Sequence, residues 1–121
     1  MYLTSNKKAM HIMMLIVLMS CVQDIPQVEV IEKEKFLLLM EDHKQLIDVR
    51  TPDEFNQGHI GSALNLNVND PNFEAAVSKL DKNQPVLVYC AVGGRSGYAA
   101  KIMKKLGFKK IYDLKGGYRN W

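Results

Sequence analysis

The amino-acid sequence predicts an α/β fold: a single domain in which a parallel sheet of about five strands carries helices on both faces. The first observation is that short apolar runs alternate along the chain with stretches whose apolar residues recur at helical spacing. Strands joined through helices form a right-handed parallel sheet. The second observation is size. A chain of 121 residues, 47% hydrophobic and 24% charged, can bury one core but is too short for two ordinary domains.

Five short runs predict the strands of this sheet. Each is rich in apolar residues and gives way to polar or glycine-containing sequence. The predicted strands are residues 28–31, 46–49, 63–68, 85–89 and 110–114. Parallel-sheet proteins place site residues where strands end at the carboxyl edge of the sheet. Asp48 and Arg50 lie at the end of the second strand, and Cys90 follows the fourth.

Four stretches predict helices: residues 34–40, a short helix after Thr51, residues 73–80 and residues 96–106. The start of the second helix is the clearest. Thr51 can act as its N-cap, Pro52 suits the first helical position, and Glu54 completes a capping box. Gly58 is placed to end this helix, and Gly107 to end the fourth.

The candidate nucleophile is Cys90, which stands between a predicted strand and a helix that begins at Ser96. A helix N-terminus has unpaired backbone N–H groups and about half a positive charge, so it attracts anions. A thiolate is stabilised there, which lowers the pKa of the thiol. A buried, inert cysteine is the commoner fate of this residue type. The short separation in sequence between Cys90 and the start of the helix favours the interpretation that Cys90 is a reactive thiol.

The loop that follows Cys90 favours anion binding. Gly93 and Gly94 allow the backbone to curl so that several N–H groups face one small space, and Arg95 adds a cation. We therefore expect the N–H groups of residues 91–95 to stabilise negative charge on sulfur.

Three motifs resemble signatures of the rhodanese family of sulfurtransferases. Residues 90–96, CAVGGRS, resemble its active-site pattern C-x-x-G-x-R-S. Residues 46–55, LIDVRTPDEF, and residues 58–63 resemble its first signature, and Gly116-Gly117-Tyr118 with Trp121 resembles its C-terminal one. The resemblance covers residues 28–121 and implies a rhodanese-like fold.

The resemblance also implies an activity. The Cys90 thiolate would attack the outer sulfur of a donor such as thiosulfate, hold that sulfur as a persulfide, and pass it to cyanide or a thiol. Substrate-binding residues would be Ala91, Val92, Gly93, Gly94 and Arg95. No metal or organic cofactor is expected, and the partners would be a small-molecule sulfur donor and acceptor.

Three residues are assigned supporting roles: Asp48, Arg50 and Ser96. We expect Arg50 to pair with Glu54 or Asp48 and to brace the neighbouring loop. His59 could serve as a general base for Cys90, but it lies between a helix-ending glycine and an apolar residue, so we interpret it as structural.

Two other functions remain as alternatives. Cysteine-dependent phosphatases also combine a cysteine, a ring of amides and an arginine, but they place five residues between the two side chains, whereas four separate Cys90 from Arg95. Some rhodanese-like domains are non-catalytic interaction modules, against which the presence of Cys90 argues. Thiosulfate-specialised members often carry basic residues where this loop has Ala91 and Val92, so an organic persulfide or polysulfide is an alternative donor.

The first twenty residues predict a secretory signal. Lys7 and Lys8 precede residues 9–19, a mostly apolar run that is too short to span a bilayer as a helix. A basic segment, a short apolar segment and a small residue, Ser20, are the usual order in such signals.

The end of this signal resembles a bacterial lipoprotein box. Leu18, Ser20 and Cys21 match that box, in which the signal is removed before the cysteine and the cysteine carries lipid. Residues 1–20 would then be a signal, residues 21–27 a tether, and residues 28–121 the folded domain. Export to the bacterial periplasm, with possible membrane attachment through a lipidated Cys21, is the expected location. Plain secretion and an apolar extension on a cytoplasmic protein are alternatives.

Composition argues against other classes of function. The formal charge is only +3, and the 8% of aromatic residues are not interleaved with a basic tract, so nucleic-acid binding has little support. No group of cysteines and histidines has metal-ligand spacing. Seven basic residues between positions 101 and 119 are explained by a solvated helix face, and they could also raise the local concentration of anions.

Overall fold

Five strands form one parallel sheet in the computed structural model, which describes residues 25–43 and 45–121. The strands are, in chain order, β1 (Gln27–Ile31), β2 (Leu46–Asp48), β3 (Leu64–Asn65), β4 (Val86–Tyr89) and β5 (Lys110–Leu114). Their order across the sheet is β1-β5-β4-β2-β3, and every neighbouring pair is parallel. The fold class expected from the sequence is confirmed. Strand β4, which leads to Cys90, lies in the middle of the sheet.

Helices cover both faces of the sheet. They are α1 (Lys33–Asp42), α2 (Pro52–Gln57), α3 (Phe73–Val77) and α4 (Gly94–Lys105), and a 3-10 helix (Tyr118–Asn120) ends the chain. Side chains alternate between the faces along each strand. One core packs α3 and α4 against residues such as Val88 and Ile111. The other packs Phe36 of α1 against residues such as Leu87.

The second predicted helix has the expected start. Thr51 is the N-cap of α2, its side chain accepts a hydrogen bond from the Glu54 amide, and the Glu54 carboxylate accepts one from the Thr51 amide. Pro52 is the first helical residue. This capping box uses N–H groups that a helix start otherwise leaves unpaired.

Most elements differ from their predicted bounds by one to three residues, and three of these differences are explained by contacts of the chain. Regular strand β3 is two residues long, because beyond it the chain makes only separate hydrogen bonds, from Leu66 to Asp48 of β2 and from Val68 to Val49, the residue after β2. Helix α3 ends at Val77, after which Leu80 closes a tighter turn by bonding to the Val77 carbonyl. Helix α4 begins at Gly94, two residues before Ser96, because Gly93 supplies its N-cap.

The signal predicted at residues 1–20, the lipid site at Cys21 and most of the tether lie outside the described residues. Among the helices of residues 25–43 and 45–121, none has both the length and the apolar character that crossing a bilayer requires.

Candidate active site

The thiol of Cys90 is buried, yet it faces polar groups. Its residue is 1% exposed at the end of β4. The Gly93 amide donates a hydrogen bond to Sγ at 3.0 Å, and Sγ lies 3.4 Å from the hydroxyl oxygen of Ser96. The side chain therefore combines contacts to the apolar core with a polar end directed at the loop.

These polar groups favour the ionised thiol. Burial raises the pKa of Cys90, but the Ser96 hydroxyl and the amides of Ser96, Gly93 and Val92 lower it by more, so the pKa lies below its ordinary value. Ser96, expected only in a supporting role, thus contributes both its side chain and its backbone. The site residues assigned from the sequence stay predictions as to function, but Val92, Gly93 and Ser96 surround the predicted nucleophile.

Gly93 gives the loop its shape. It is the N-cap of α4 with a φ of +118°, in the left-handed region that glycine adopts without the strain of a side chain. Its own amide donates to Cys90 Sγ. Because it has no side chain to accept a hydrogen bond from the Ser96 amide, that amide also remains available to the sulfur. Gly94 was expected to help the loop curl, but it is the first helical residue and its φ is not positive.

The C-terminal segment holds the other side of the loop. The amide of Tyr118 donates to the Cys90 carbonyl at 2.8 Å, and the amide of Arg119 donates to the Ala91 carbonyl at 2.9 Å. In a trans peptide the C=O and N–H groups point in opposite directions. Binding of the Ala91 carbonyl by Arg119 therefore fixes the direction of the Val92 amide of the same peptide, which is one of the groups that lower the pKa of Cys90.

Gly117 brings the two segments into this contact. A Cβ atom at Gly117 would lie 2.5 Å from the Cys90 carbonyl oxygen and 2.7 Å from that of Ala91. Real Cβ atoms do not approach backbone so closely, so only glycine fits here. The Gly116-Gly117-Tyr118 motif that the sequence singled out thus forms part of the support for the Cys90 loop.

Arg95 does not stand as a free cation beside the thiol. Its guanidinium binds Glu54 of α2 through two bonds, of 2.7 and 2.9 Å. This pair lowers the pKa of Glu54 to about 2. The expectation that Arg95 fixes the loop agrees with this contact, whereas the positive charge expected in the anion site is largely neutralised by Glu54.

Arg50 pairs with Asp48, one of its two expected partners, and not with Glu54. The shortest of its bonds to that carboxylate is 2.6 Å, and it also donates to the Gly58 carbonyl at 2.7 Å. Its guanidinium lies over the Tyr118 ring, 4.3 Å from the centroid. Both charged residues are buried. Asp48 and Arg50 therefore brace the loop after β2 and the C-terminal 3-10 helix.

His59 is stacked on Phe55, with ring centroids 3.9 Å apart, and its Nδ1 lies 3.2 Å from the Phe55 carbonyl oxygen. These contacts agree with the structural role expected for it. Within the described ranges, no three side chains of His, Cys, Asp or Glu are grouped where they could hold a metal ion.

Two residues near the site were missed from the sequence. The role of Glu54 as partner of Arg95 had no local signal, since the two lie 41 positions apart. Asp113 was not singled out from the sequence, yet it is buried, and burial raises its pKa to about 6. Its burial could have been predicted, because alternation along β5 places it on the same face as Ile111.

Taken together, the geometry can hold a thiolate, or a second sulfur atom with negative charge, among hydrogen-bond donors. Val92 is 58% exposed and gives the outside of the loop an apolar surface. The arrangement suits nucleophilic attack by Cys90 on an electrophilic sulfur atom followed by storage of an anionic product.

Comparison with known proteins agrees with the family resemblance found in the sequence. Residues 32–121 match the family described as Rhodanese-like domain. Thiosulfate sulfurtransferase GlpE of Shewanella oneidensis is 36% identical over 77 residues, which make up 64% of this chain and 74% of that protein. Uncharacterized protein YqhL of Bacillus subtilis is 42% identical over 77 residues, and the chain spans only 60% of its length.

A solved structure shares the fold. The crystal structure of a rhodanese-related protein from Thermoplasma volcanium matches with a TM-score of 0.69 and 26% sequence identity. The match covers 77% of this chain and 89% of that one.

Proposed function

Because the chain belongs to the rhodanese-like domain family, we propose that it is a sulfurtransferase that carries a sulfane sulfur atom as a persulfide on Cys90. The observation that carries the proposal is the set of donors around Sγ, with the Gly93 amide at 3.0 Å. A relative named thiosulfate sulfurtransferase supports the same chemistry.

The reaction takes place in two steps. The Cys90 thiolate attacks the outer sulfur of thiosulfate, the S–S bond of the donor breaks, and sulfite leaves with the electron pair. The persulfide anion that results is stabilised by the loop amides. Cyanide or a thiolate then attacks the outer sulfur, and Cys90 departs as a thiolate ready for another cycle.

The physiological donor is proposed to be an organic persulfide or a polysulfide, with thiosulfate as a serviceable substitute. Thiosulfate carries two negative charges, and a site specialised for it would offer free cations. Here Arg95 is bound by Glu54, and the loop presents Ala91 and the exposed side chain of Val92. A less charged donor with an apolar group suits this surface better.

Mass spectrometry after treatment with thiosulfate tests the activity. Trypsin cleaves after Lys82 and Arg95, which places Cys90 on a peptide separate from Cys21. We expect the Cys90 peptide to gain the mass of one sulfur atom and to lose it again when cyanide is added. Turnover of thiosulfate and cyanide should fall to background in Cys90→Ser and persist in Cys21→Ser. Wild-type turnover by Cys90→Ser would refute the proposal.

Two related measurements distinguish the sulfurtransferase from the non-catalytic module and from the phosphatase. A non-catalytic module would leave Cys90 unmodified with thiosulfate and with an organic persulfide. A phosphatase would hydrolyse an aryl phosphate, which we do not expect, since four residues separate Cys90 from Arg95 and the Arg95 guanidinium is bound to Glu54.

We also propose that residues 1–20 direct export and that Cys21 carries lipid. Support comes from the sequence alone, in Lys7, Lys8, the apolar residues 9–19 and the match around Cys21. Expression of the full chain in a bacterium that is labelled with a tagged fatty acid tests both points. Label should appear in wild type and not in Cys21→Ser, while an unprocessed, unlabelled cytoplasmic chain would contradict the proposal.

A further inference from the structure

A basic face lies on the second half of α4. It consists of Lys101, Lys104 and Lys105, which are all exposed. None of the three forms an ion pair with another described residue. All three line one groove, and Glu74 is the one acidic side chain among the described residues that line it. The basic face is therefore a concentration of positive charge that a single carboxylate offsets only in part.

Apolar side chains lie beside the basic face. Tyr98 of α4 is 58% exposed, and it lines the same groove together with Ile102 and Leu106. The groove also includes Pro26, where the chain enters the fold, and the residue before it, Ile25, is 73% exposed. Exposed apolar residues next to lysines are typical of a surface that lies at the boundary between water and lipid.

Strand β1 extends the apolar surface along the edge of the sheet. Its Val28 is in register with Ile111 of β5, so the two side chains point to the same face of the sheet. Ile111 belongs to the core that α4 covers. Val28, and Val30 two residues later, therefore lie on the face of the sheet that carries α4, but both stay exposed because β1 is the outermost strand.

The point at which the chain enters the fold lies close to the proposed lipid site. Cys21 is five residues before Pro26, and five residues span at most about 18 Å when fully extended. An acyl chain on Cys21 would therefore hold the groove within about 18 Å of a bilayer. Charges attract one another over about 10 Å at an ionic strength of about 0.1 M, a separation that the tether allows.

We propose that the basic face of α4, with Tyr98 and Ile25, docks on a membrane that contains anionic phospholipid. The lysine ammonium groups contact the charged headgroups, and the apolar side chains enter the boundary between headgroups and acyl chains. The orientation of the domain rests on the proposed lipid anchor at Cys21, whereas the attraction between lysines and headgroups does not. An acidic protein would match the charge but would not account for the exposed apolar residues beside the tether.

Docking in this way leaves the active site in water. Helix α4 begins beside the Cys90 loop at the carboxyl edge of the sheet, and its 12 residues span about 18 Å. Strand β1 is parallel to β4 and begins at the opposite edge. Pro26 and Lys105 therefore lie at the end of the domain that is farther from Cys90, and small soluble substrates reach the thiol while the domain is docked.

Sedimentation with lipid vesicles tests the proposal. Every sample is the full chain with Cys21→Ser, so that acylation does not contribute and residues 1–20 contribute equally. We expect binding to vesicles of phosphatidylcholine with phosphatidylglycerol to be about tenfold or more stronger than to phosphatidylcholine alone, and to weaken as salt is added. Equal binding to the two kinds of vesicle would overturn the proposal.

Two double variants locate the binding surface. Each lysine close to an anionic membrane strengthens binding by about fivefold, so Lys101→Gln with Lys105→Gln should weaken binding to the phosphatidylglycerol vesicles by about 20-fold. Lys35→Gln with Lys115→Gln is the matched control, because it removes the same charge from two lysines that are paired with glutamates. The control should bind nearly as the parent does. Equal losses in the two double variants would mean that only net charge matters and would overturn the proposal.

The docking face, the lipid anchor and the sulfur transfer can fail separately. Vesicle binding that depends on Lys101 and Lys105, without fatty-acid label on Cys21 of the wild type, would support the docking face and refute the anchor. Label on Cys21 with no loss of vesicle binding in Lys101→Gln with Lys105→Gln would refute the docking face alone. Turnover of thiosulfate and cyanide should stay the same when phosphatidylglycerol vesicles are added, and its loss would overturn the proposed orientation.

Discussion

Neighbouring strands β2 and β4 both end at the carboxyl edge of the sheet and both lead through a short loop into a helix, but the two helix starts are used differently. Helix α2 is capped by its own side chains, with Thr51 and Glu54 in a capping box. Helix α4 begins after Gly93, which has no side chain to cap it. Its amides are therefore available, and the amides of Gly93 and Ser96 act on the Cys90 sulfur.

The polar residues at the two strand ends differ in the same way. At the end of β2, Asp48 and Arg50 are opposite charges that neutralise one another. At the end of β4, the Gly93 amide donates to the Cys90 sulfur, and no side chain of opposite charge among the described residues is bonded directly to it. The loop after β2 therefore stabilises the fold, because its charges and amides are already paired. The loop after β4 has amides that can still stabilise a negative charge, which a reaction can use.

Loss of Arg50 should give the largest effect on folding. Arg50→Met leaves Asp48 buried without its partner, which typically costs about 3–5 kcal/mol. Cys90→Ala should lower the free energy of unfolding by only about 1 kcal/mol while it abolishes sulfur transfer. Urea unfolding measures the free energy of unfolding of both variants. Arg50→Met combined with Asp48→Asn serves as the control and should recover much of the loss, and equal destabilisation by Arg50→Met and Cys90→Ala would contradict the division between the two loops.

Gly117→Ala tests the support of the Cys90 loop. Gly116 and Gly117 both have positive φ, of 75° and 62°, so alanine strains the backbone at either position. Only at Gly117 does the added Cβ meet the backbone of Cys90 and Ala91. We expect Gly117→Ala to lower stability by about 3 kcal/mol and to slow sulfur transfer by at least tenfold.

Gly116→Ala is the matched control for that variant, because the three atoms nearest to its Cβ would all belong to the side chain of Asn120, which can move. It should lower stability less and keep most of the activity. Equal losses of activity in the two variants would mean that the contact between Gly117 and the Cys90 loop does not matter.

Gly93→Ala and Gly94→Ala form a second matched pair. A Cβ atom would lie within 4 Å of no atom of the described residues at either position, so the two substitutions are distinguished by backbone conformation. Gly93→Ala should cost about 1–2 kcal/mol because its φ is left-handed, and it should raise the pKa of Cys90 by moving the Gly93 amide. Gly94→Ala should be neutral or slightly stabilising. Thermal unfolding and the pH dependence of alkylation measure these effects.

Among the substitutions expected to destabilise the fold, Glu54→Gln should have the smallest effect, at about 0.5–1 kcal/mol, because Glu54 and Arg95 are each about one third exposed and solvent screens the pair. The pKa of Glu54 falls from 4.5 to about 2 on folding. Its stabilising contribution is therefore complete above pH about 5 and is lost as the pH falls towards about 2. Urea unfolding measures the free energy of unfolding of wild type and Glu54→Gln, and the difference between the two should become smaller as the pH falls over that range. A difference that does not change with pH would contradict the pairing of Glu54 with Arg95.

Features that depend on neighbouring residues in the sequence could be predicted. The capping box of α2 and the position of Cys90 before α4 rest on local spacing, and both are present in the structure. The order of strands and helices followed from alternating patterns in the same way. These signals are local because capping and strand or helix formation involve residues a few positions apart.

Features that depend on which distant segments meet could not be predicted in detail. The sequence offered Arg50 two partners, and the choice of Asp48 left Glu54 to Arg95 on another helix. The need for glycine at position 117 arises from contact with a loop far away in the sequence. Burial of Asp113 could be predicted from alternation along its strand, but the basic residues around it in the sequence predicted an exposed surface instead.

The contact between the C-terminal segment and the Cys90 loop has a consequence for biosynthesis. Until residues 117–119 leave the ribosome, the Tyr118 and Arg119 amides that hold the Cys90 and Ala91 carbonyls are missing, and the Val92 amide is free to turn away. Until then the Cys90 thiol lacks one of the amides that lower its pKa, so its reactivity rises in the step in which the last turn of the domain folds into place.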